Sequence, residues 1–345
     1  MRVLFVVEAG FKAGLGHLLR SRALLLELRA RGHAVDLWLR GDDAALAGRD
    51  WPAGMQVFHS RESEPIDAAY DGISRLLQRS HYDWLVIDGY GFYGHALYER
   101  FLAHDAKLLM LDDLADRELK ADIVLNQNTA HAEVYSGGRV NASRFLLGPQ
   151  YALIDRAYAT SRAIPRTHGP LYCLLVTFGG VDRYGRTERV LKLLEDHQSQ
   201  LNIIVVAGPY YPHLNKLKSW RSRHALTVVQ NVADLACLLR ECDFMISGGG
   251  TTVWQACCAG MPMLALKMVD NQSLVIKTLR EFDAALCLDV STSPEKNAGI
   301  SELAFAEVFQ QATEASVRES LSMKAMQLVD GDGAGRVADT MASCV

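Results

Sequence analysis

Short apolar runs alternate with amphipathic stretches along the whole chain. Val3–Val7 is apolar and rich in β-branched residues, which predicts a buried strand. A glycine-rich turn follows. In His17–Arg31 the residues Leu18, Leu19, Ala23, Leu26 and Leu28 fall near helical spacing, and Gly32 supplies a stop. The same reading predicts strands at Ala34–Leu39, Trp84–Asp88 and Lys107–Leu111, and helices over Ile66–Leu77 and His95–His104. This βαβα rhythm implies a parallel sheet with helices on both faces.

Periodicity fades between Thr129 and Pro170, a stretch holding Gly137-Gly138, Gly148-Pro149, Pro165 and Gly169-Pro170, and its later part reads as a linker. The rhythm then restarts. Strands are predicted at Leu171–Phe178, Leu201–Ala207, Thr227–Val229, Asp243–Ser247 and Met263–Leu266, with helices at Arg186–Glu195 and Thr252–Ala259. From Ala304 onward the chain reads as helical, broken at Asp330–Gly335. Each half opens with a strand and a glycine turn. The simplest architecture is α/β, with two Rossmann-like doubly wound domains facing across a cleft and ligands at the carboxyl ends of the strands. The expected division is 1–160 and 161–345, with the C-terminal helices free to pack back on the first domain.

Composition narrows the classes. The 345 residues suit two domains at roughly 150 each. The 36 basic and 40 acidic residues give a net charge of −4, which argues against a nucleic-acid binder. With 49% apolar and 22% charged residues the chain reads as globular rather than disordered or fibrous. It contains no apolar run of the length that spans a bilayer, and its first residues read as a strand rather than a secretory signal. The seven cysteines, Cys173, Cys237, Cys242, Cys257, Cys258, Cys287 and Cys344, form no CxxC pair. They are expected to be reduced, mostly buried thiols of a cytoplasmic protein.

Three glycine turns carry the candidate chemistry. In Glu8–His17, Gly14 and Gly16 let backbone approach a ligand, and His17 at the helix start is either a general base or a helix cap. The second turn is Phe178-Gly179-Gly180-Val181-Asp182. The third, Ser247-Gly248-Gly249-Gly250-Thr251-Thr252, lies between strand and helix. Its N–H groups and hydroxyls suit a phosphate cradle, the alternative being a flexible capped loop. No P-loop motif is present. Asn271-Gln272 either faces the cleft or caps a helix. Tyr90, between Gly89 and Gly91, either projects into a cleft or packs on the surface. Asp112 and Asp113 end a strand and either cap a turn or bind a ligand. No metal site or cofactor is expected.

Several of these runs together resemble the UDP-sugar hydrolases of pseudaminic acid biosynthesis. They are Gly14-Leu15-Gly16-His17-x-x-Arg20, LDDLADRELKADIVLNQN (Leu111–Asn128), GPQYALI (Gly148–Ile154), TFGGVD (Thr177–Asp182), SGGGTTVWQACCAGMP (Ser247–Pro262) with Asn271-Gln272, and Val329–Gly333. The resemblance covers nearly the whole chain, in order. It implies a GT-B fold, like that of the lipid II N-acetylglucosaminyltransferase, and no need for metal. It also implies His17 as catalytic base, with Tyr90 and Asn271 beside the reacting sugar. Gly14, Gly16, Arg20, Gly179, Gly180, Gln255 and Gln272 would contact substrate or nucleotide, and Ser247, Gly248, Gly249, Gly250, Thr251 and Thr252 would hold the nucleotide phosphates.

Two positions depart from that pattern. The family has Arg-x-Asp at the end of the first strand, where this chain has Val6-Val7-Glu8. It has Glu after the Trp of the glycine-loop helix, where this chain has Gln255. Both changes mark either an altered donor or reaction, or neutral drift. Two readings with a CMP- or UDP-linked donor follow. The first is a glycosyltransferase moving a nonulosonic acid such as pseudaminic acid from a CMP-sugar to a hydroxyl acceptor on flagellin or a surface glycan. The second is a UDP-2,4-diacetamido-2,4,6-trideoxy-β-L-altropyranose hydrolase. A non-catalytic sugar-nucleotide sensor is a third class on such a fold.

Overall fold

The computed structural model describes residues 1–42, 51–93, 96–137, 140–230, 232, 235–290 and 299–344. His95 and Gly138, which figured in the sequence reading, lie outside them. The chain divides into two compact units, Met1–Asp155 with Asp332–Val345, and Arg156–Gly331.

The first unit contains a parallel sheet of β1 (Arg2–Ala9), β2 (Ala34–Gly41), β3 (Val57–Arg61), β4 (Trp84–Asp88), β5 (Lys107–Leu111), β6 (Leu119–Asn126) and β7 (Val140–Leu147). Its order is β3-β2-β1-β4-β5-β6-β7. The chain therefore winds outward from β1 to one edge, then returns to β4 beside β1 and winds to the other. Val7 of β1 stands in register with Asp88 of β4. The strand order thus reverses between β1 and β4, and in sheets of this kind ligands bind at the carboxyl ends of the strands on either side of such a reversal. Val3–Val7 and Trp84–Ile87 are essentially inaccessible, because helices cover both faces of the sheet.

Helix Gly16–Ala30 follows β1 and packs on it. The last helix, Gly333–Ser343, belongs to this unit and packs against helix Gly16–Ala30. Arg31 ties the two together, donating to Asp339 and to Glu27. A Cβ at position 333 would fall 2.3 Å from the carbonyl oxygen of Ala152, so only glycine permits this approach.

The second unit repeats the plan with β8 (Cys173–Thr177), β9 (Asn202–Ala207), β10 (Ala225–Gln230), β11 (Phe244–Gly248), β12 (Met263–Lys267) and β13 (Leu286–Asp289), in the order β10-β9-β8-β11-β12-β13. Here the strand order reverses between β8 and β11. The turns that follow these two strands are Gly179-Gly180 and Ser247–Thr252. Two helices, Glu302–Thr313 and Ala315–Leu328, extend this unit, and Phe305, Phe309 and Leu321 from them enter its core.

The buried central strands match the apolar runs of the sequence. Strands β3, β7 and β13 at the sheet edges, and β6, were not anticipated. Four cysteines are buried, at 173, 242, 257 and 258, and no described cysteine is in a disulfide. Among the described residues no helix is long and apolar enough to cross a membrane.

Candidate functional site

Helix Gly16–Ala30 begins directly after a loop that the backbone closes on itself. The Gly10 N–H donates to the Gly14 carbonyl at 3.0 Å and the Gly14 N–H to that of Gly10 at 2.8 Å. Gly14 needs its positive φ of 75° to make this turn. The loop delivers His17 into the first turn of the helix. Arg20 and Ser21 follow at helical spacing, on the same face, and all three meet the end of β4.

There the buried carboxylate of Asp88 collects four bonds. The Nδ1 atom of His17 lies 2.7 Å from Oδ1, and Arg20 donates from Nη2 to Oδ1 at 2.6 Å and from Nε to Oδ2 at 2.8 Å. Ser21 donates from Oγ to Oδ2 at 2.9 Å. An ionised carboxylate only accepts, so the hydrogen between His17 and Asp88 is carried by Nδ1; Nη2 of Arg20 also lies 3.0 Å from that nitrogen.

Arg20 also reaches Asp113 at the end of β5, at 2.6 and 3.0 Å. Asp113 accepts in addition from the Tyr90 hydroxyl at 3.0 Å and from Nδ2 of Asn128 at 2.7 Å. The Tyr90 ring meets the His17 imidazole edge-on, with centroids 4.9 Å apart.

The protonation states follow from the surroundings. Burial alone pushes the Asp88 carboxyl up, but the Arg20 guanidinium and then His17 override it and hold Asp88 well below the usual carboxylate range. Asp113 behaves likewise: burial raises it, and Arg20 brings it below its ordinary value. Asp112 does not join the cluster. It caps its own turn, accepting from the N–H groups of Leu114 and Ala115 at 3.1 and 3.0 Å, and from the Tyr135 hydroxyl. Burial leaves its carboxyl above the ordinary range. The Asp112-Asp113 pair is thus split between a structural role and the site.

The first unit therefore brings together His17, Arg20 and Tyr90 of the residues singled out from sequence, with Gly14 and Gly16 in the turn that delivers His17 and Arg20, and Tyr90 on the turn after β4. Arg20 is buried and holds the two carboxylates, a use the sequence did not suggest. Asp88, which orients His17, was missed as a site residue. Its signal was an acidic residue closing a fully apolar run at a carboxyl strand end, where solvation alone would not keep it.

In the second unit, Ser247–Thr252 forms the turn from β11 into helix Thr252–Cys258. The Gly249 N–H bonds back to the Leu266 carbonyl at 3.0 Å. A Cβ at Gly249 would press on Ile276 and Gln272 at 3.2 and 3.3 Å, whereas one at Gly250 would meet open space. The side chain of Thr251 at the helix N-cap does not bond back onto the helix.

Asn271 and Gln272 lie on a 3-10 turn, Asp270–Gln272, after β12. Oε1 of Gln272 accepts from the Met268 N–H at 2.8 Å, which fixes that turn beside the glycine loop. Gln255 is buried on the glycine-loop helix. After β8, Gly179 has a φ of 76°, and the Gly180 carbonyl accepts from Tyr210 at 3.1 Å. The glycine loop and Asn271-Gln272 are thus neighbours, and Gly179-Gly180 stands at the end of the adjoining strand. Among the described residues, no group of three or more histidine, cysteine, aspartate or glutamate side chains is placed to hold a metal ion.

Such a chain, two parallel-sheet Rossmann-like units with a buried histidine site at the reversal point of the first, has the fold of GT-B glycosyltransferases. Comparison with known proteins agrees. The chain is similar over 98% of its length, at 25% identity, to the spore coat polysaccharide biosynthesis protein SpsG of Bacillus subtilis, covering 96% of that protein. No family model matches. Among solved structures it is similar to MurG of Acinetobacter baumannii, with a TM-score of 0.66 and 16% identity over 99% of this chain and 100% of that one. It is also similar to Anabaena Alr3699/HepE in complex with UDP-glucose, with a TM-score of 0.61 and 13% identity over 100% of both chains.

Proposed function

We propose that the chain is a nucleotide-sugar-dependent glycosyltransferase that passes a sugar to a hydroxyl acceptor, with His17 as general base. The observation carrying this reading is the 2.7 Å contact between Nδ1 of His17 and Oδ1 of Asp88. Asp88 stays ionised, fixes the tautomer and turns Nε2 toward proton abstraction. Once Nε2 has taken the acceptor proton, the Asp88 carboxylate balances the charge on the ring. Tyr90 would line the reacting sugar. The Ser247–Thr252 loop, with Gly179-Gly180, Gln255 and Gln272, would receive the nucleotide and steady the departing phosphate.

The donor assigned here is a CMP-linked nonulosonic acid such as pseudaminic acid, and the acceptor a hydroxyl of flagellin or of a surface glycan. The support for CMP is the absence, at Val6 and Gln255, of two charges that the UDP-sugar hydrolase pattern carries. A second reading, the UDP-sugar hydrolase, is favoured by the ordered motifs from Gly14 to Gly333, because the same histidine would serve equally to activate water. Calorimetric titration with CMP and UDP side by side separates the two. Tighter binding of CMP supports the transferase with this donor, and a clear UDP preference supports the hydrolase.

A further inference from the structure

We propose that Glu8 is a positioning residue of this site: its carboxylate, seated in a slot left by the two glycines that flank Tyr90, sets the Tyr90 ring against the His17 imidazole. The proposal rests on the role given above to His17 and Tyr90.

Glu8 is the penultimate residue of β1 and is 8% exposed. Its Oε2 accepts from the Gly91 N–H at 2.7 Å, and Nη1 of Arg40, its register partner on β2, lies 3.3 Å from Oε1. Arg40 in turn donates to the carbonyls of Glu62 and Glu64. A Cβ on Gly89 would fall 2.6 Å from Cγ of Glu8, and one on Gly91 would fall 2.3 Å from Oε1. The glycines on either side of Tyr90 thus leave room for this side chain. Any larger residue at 89 or 91 would expel it.

The Tyr90 turn is held at three further points. Its hydroxyl donates to Asp113, its carbonyl accepts from Arg117 at 3.1 Å, and the Arg117 guanidinium lies 5.5 Å from its ring centroid. The Glu8 bond ties the backbone of this turn to β1, the strand that leads into the His17 loop, beyond the point where β4 itself pairs with β1. It therefore fixes how far the turn sits from that loop. A hydrogen-bonded carboxylate has a definite length and direction, which an apolar contact lacks. The glutamate that departs from the family pattern thus has a use in this chain, apart from any contact with donor.

The test reads the His17 imidazole directly. In protein with isotope-labelled histidines, the His17 C–H resonances are assigned by their loss in His17→Gln. An edge-on ring at 4.9 Å shifts them, so they report the place of Tyr90. Removing that ring in Tyr90→Leu defines the fully displaced position. Glu8→Ala is expected to move the His17 signals most of the way to it, and Glu8→Gln, which keeps an acceptor for the Gly91 N–H, to leave them near wild type. Glu8→Ala combined with Tyr90→Leu should go no further than Tyr90→Leu alone.

In turnover, kcat is expected to fall by up to about 100-fold in Glu8→Ala, with KM for the donor nearly unchanged and recovery in Glu8→Gln. Should Glu8→Ala fail to fold, Gly91→Ala displaces the same contact from the other side and is read identically. A folded Glu8→Ala or Gly91→Ala protein whose His17 signals stay at the wild-type position overturns the proposal. If the wild type turns over no nucleotide sugar, the assigned function fails, while the resonance comparison still decides the role of Glu8.

Discussion

His17 and Asp88, 71 positions apart in sequence, meet at 2.7 Å because they follow two strands that are neighbours in the sheet. β1 leads into the helix that carries His17, and Asp88 closes β4. The parallel register brings both to the same edge. One consequence is that the histidine is oriented by a residue with no solvent access, whose own charge is fixed by Arg20.

Asp88→Asn keeps the shape of that partner and removes its charge. The amide can present its N–H to His17 and favour the wrong tautomer. Turnover is expected to fall roughly 10²–10⁴-fold, with nucleotide affinity retained. Breaking a buried ion pair from one side also costs about 3–5 kcal/mol, so the variant should unfold at lower urea concentration. Steady-state kinetics beside equilibrium unfolding checks both, and full activity would remove Asp88 from the site.

Stability should depend on pH through the same cluster. Asp88 and Asp113 have folded-state pKa values below the ordinary 3.8. As pH falls the unfolded chain takes up these protons first, so the folded state loses ground. Their contribution is complete above 3.8 and is lost progressively as pH drops through it toward the folded values. Asp112, whose carboxyl is raised by burial, acts with the opposite sign and offsets part of the loss. Urea unfolding between neutral pH and pH 3 should show a steep acid limb that flattens in Asp88→Asn. An equal slope in both proteins would contradict this origin.

The glycine loop offers a cleaner substitution than its crowded centre. At Gly249 a Cβ would already press on Ile276 and Gln272 at 3.2 and 3.3 Å, so loss of binding there would mix with local repacking. At Gly250 a Cβ would meet nothing within 4 Å. Gly250→Val should therefore leave the melting temperature nearly unchanged and weaken nucleotide binding at least tenfold, as read by calorimetry. Unaltered affinity would show that the loop is not the cradle.

Much of the fold was legible because strands buried on both faces read as unbroken apolar runs, as in Val3–Val7 and Trp84–Ile87. The edge strands escaped for the converse reason. Val57–Arg61 and Leu286–Asp289 cover less of the core and carry polar or partly exposed residues. β6 escaped because Lys120 and Asp122 interrupt its pattern, Asp122 being spent on the Leu108 N–H. At the site, His17 and Tyr90 announced themselves beside glycines. The sequence named Asp113 without choosing between capping and binding. Asp88 had a local signal as the acid closing an apolar run, but its meeting with His17 and the use of Arg20 depend on which strands become neighbours, and no local pattern encodes that.

The central claim is transfer to a hydroxyl by a histidine base. It is tested most directly by measuring nucleotide released from the nucleotide-sugar donor with and without a hydroxyl acceptor, in wild type and in His17→Ala. The account predicts release that requires acceptor and falls roughly 10²–10⁴-fold in His17→Ala. Full release of UDP in water with no acceptor, or undiminished release in His17→Ala, would contradict it.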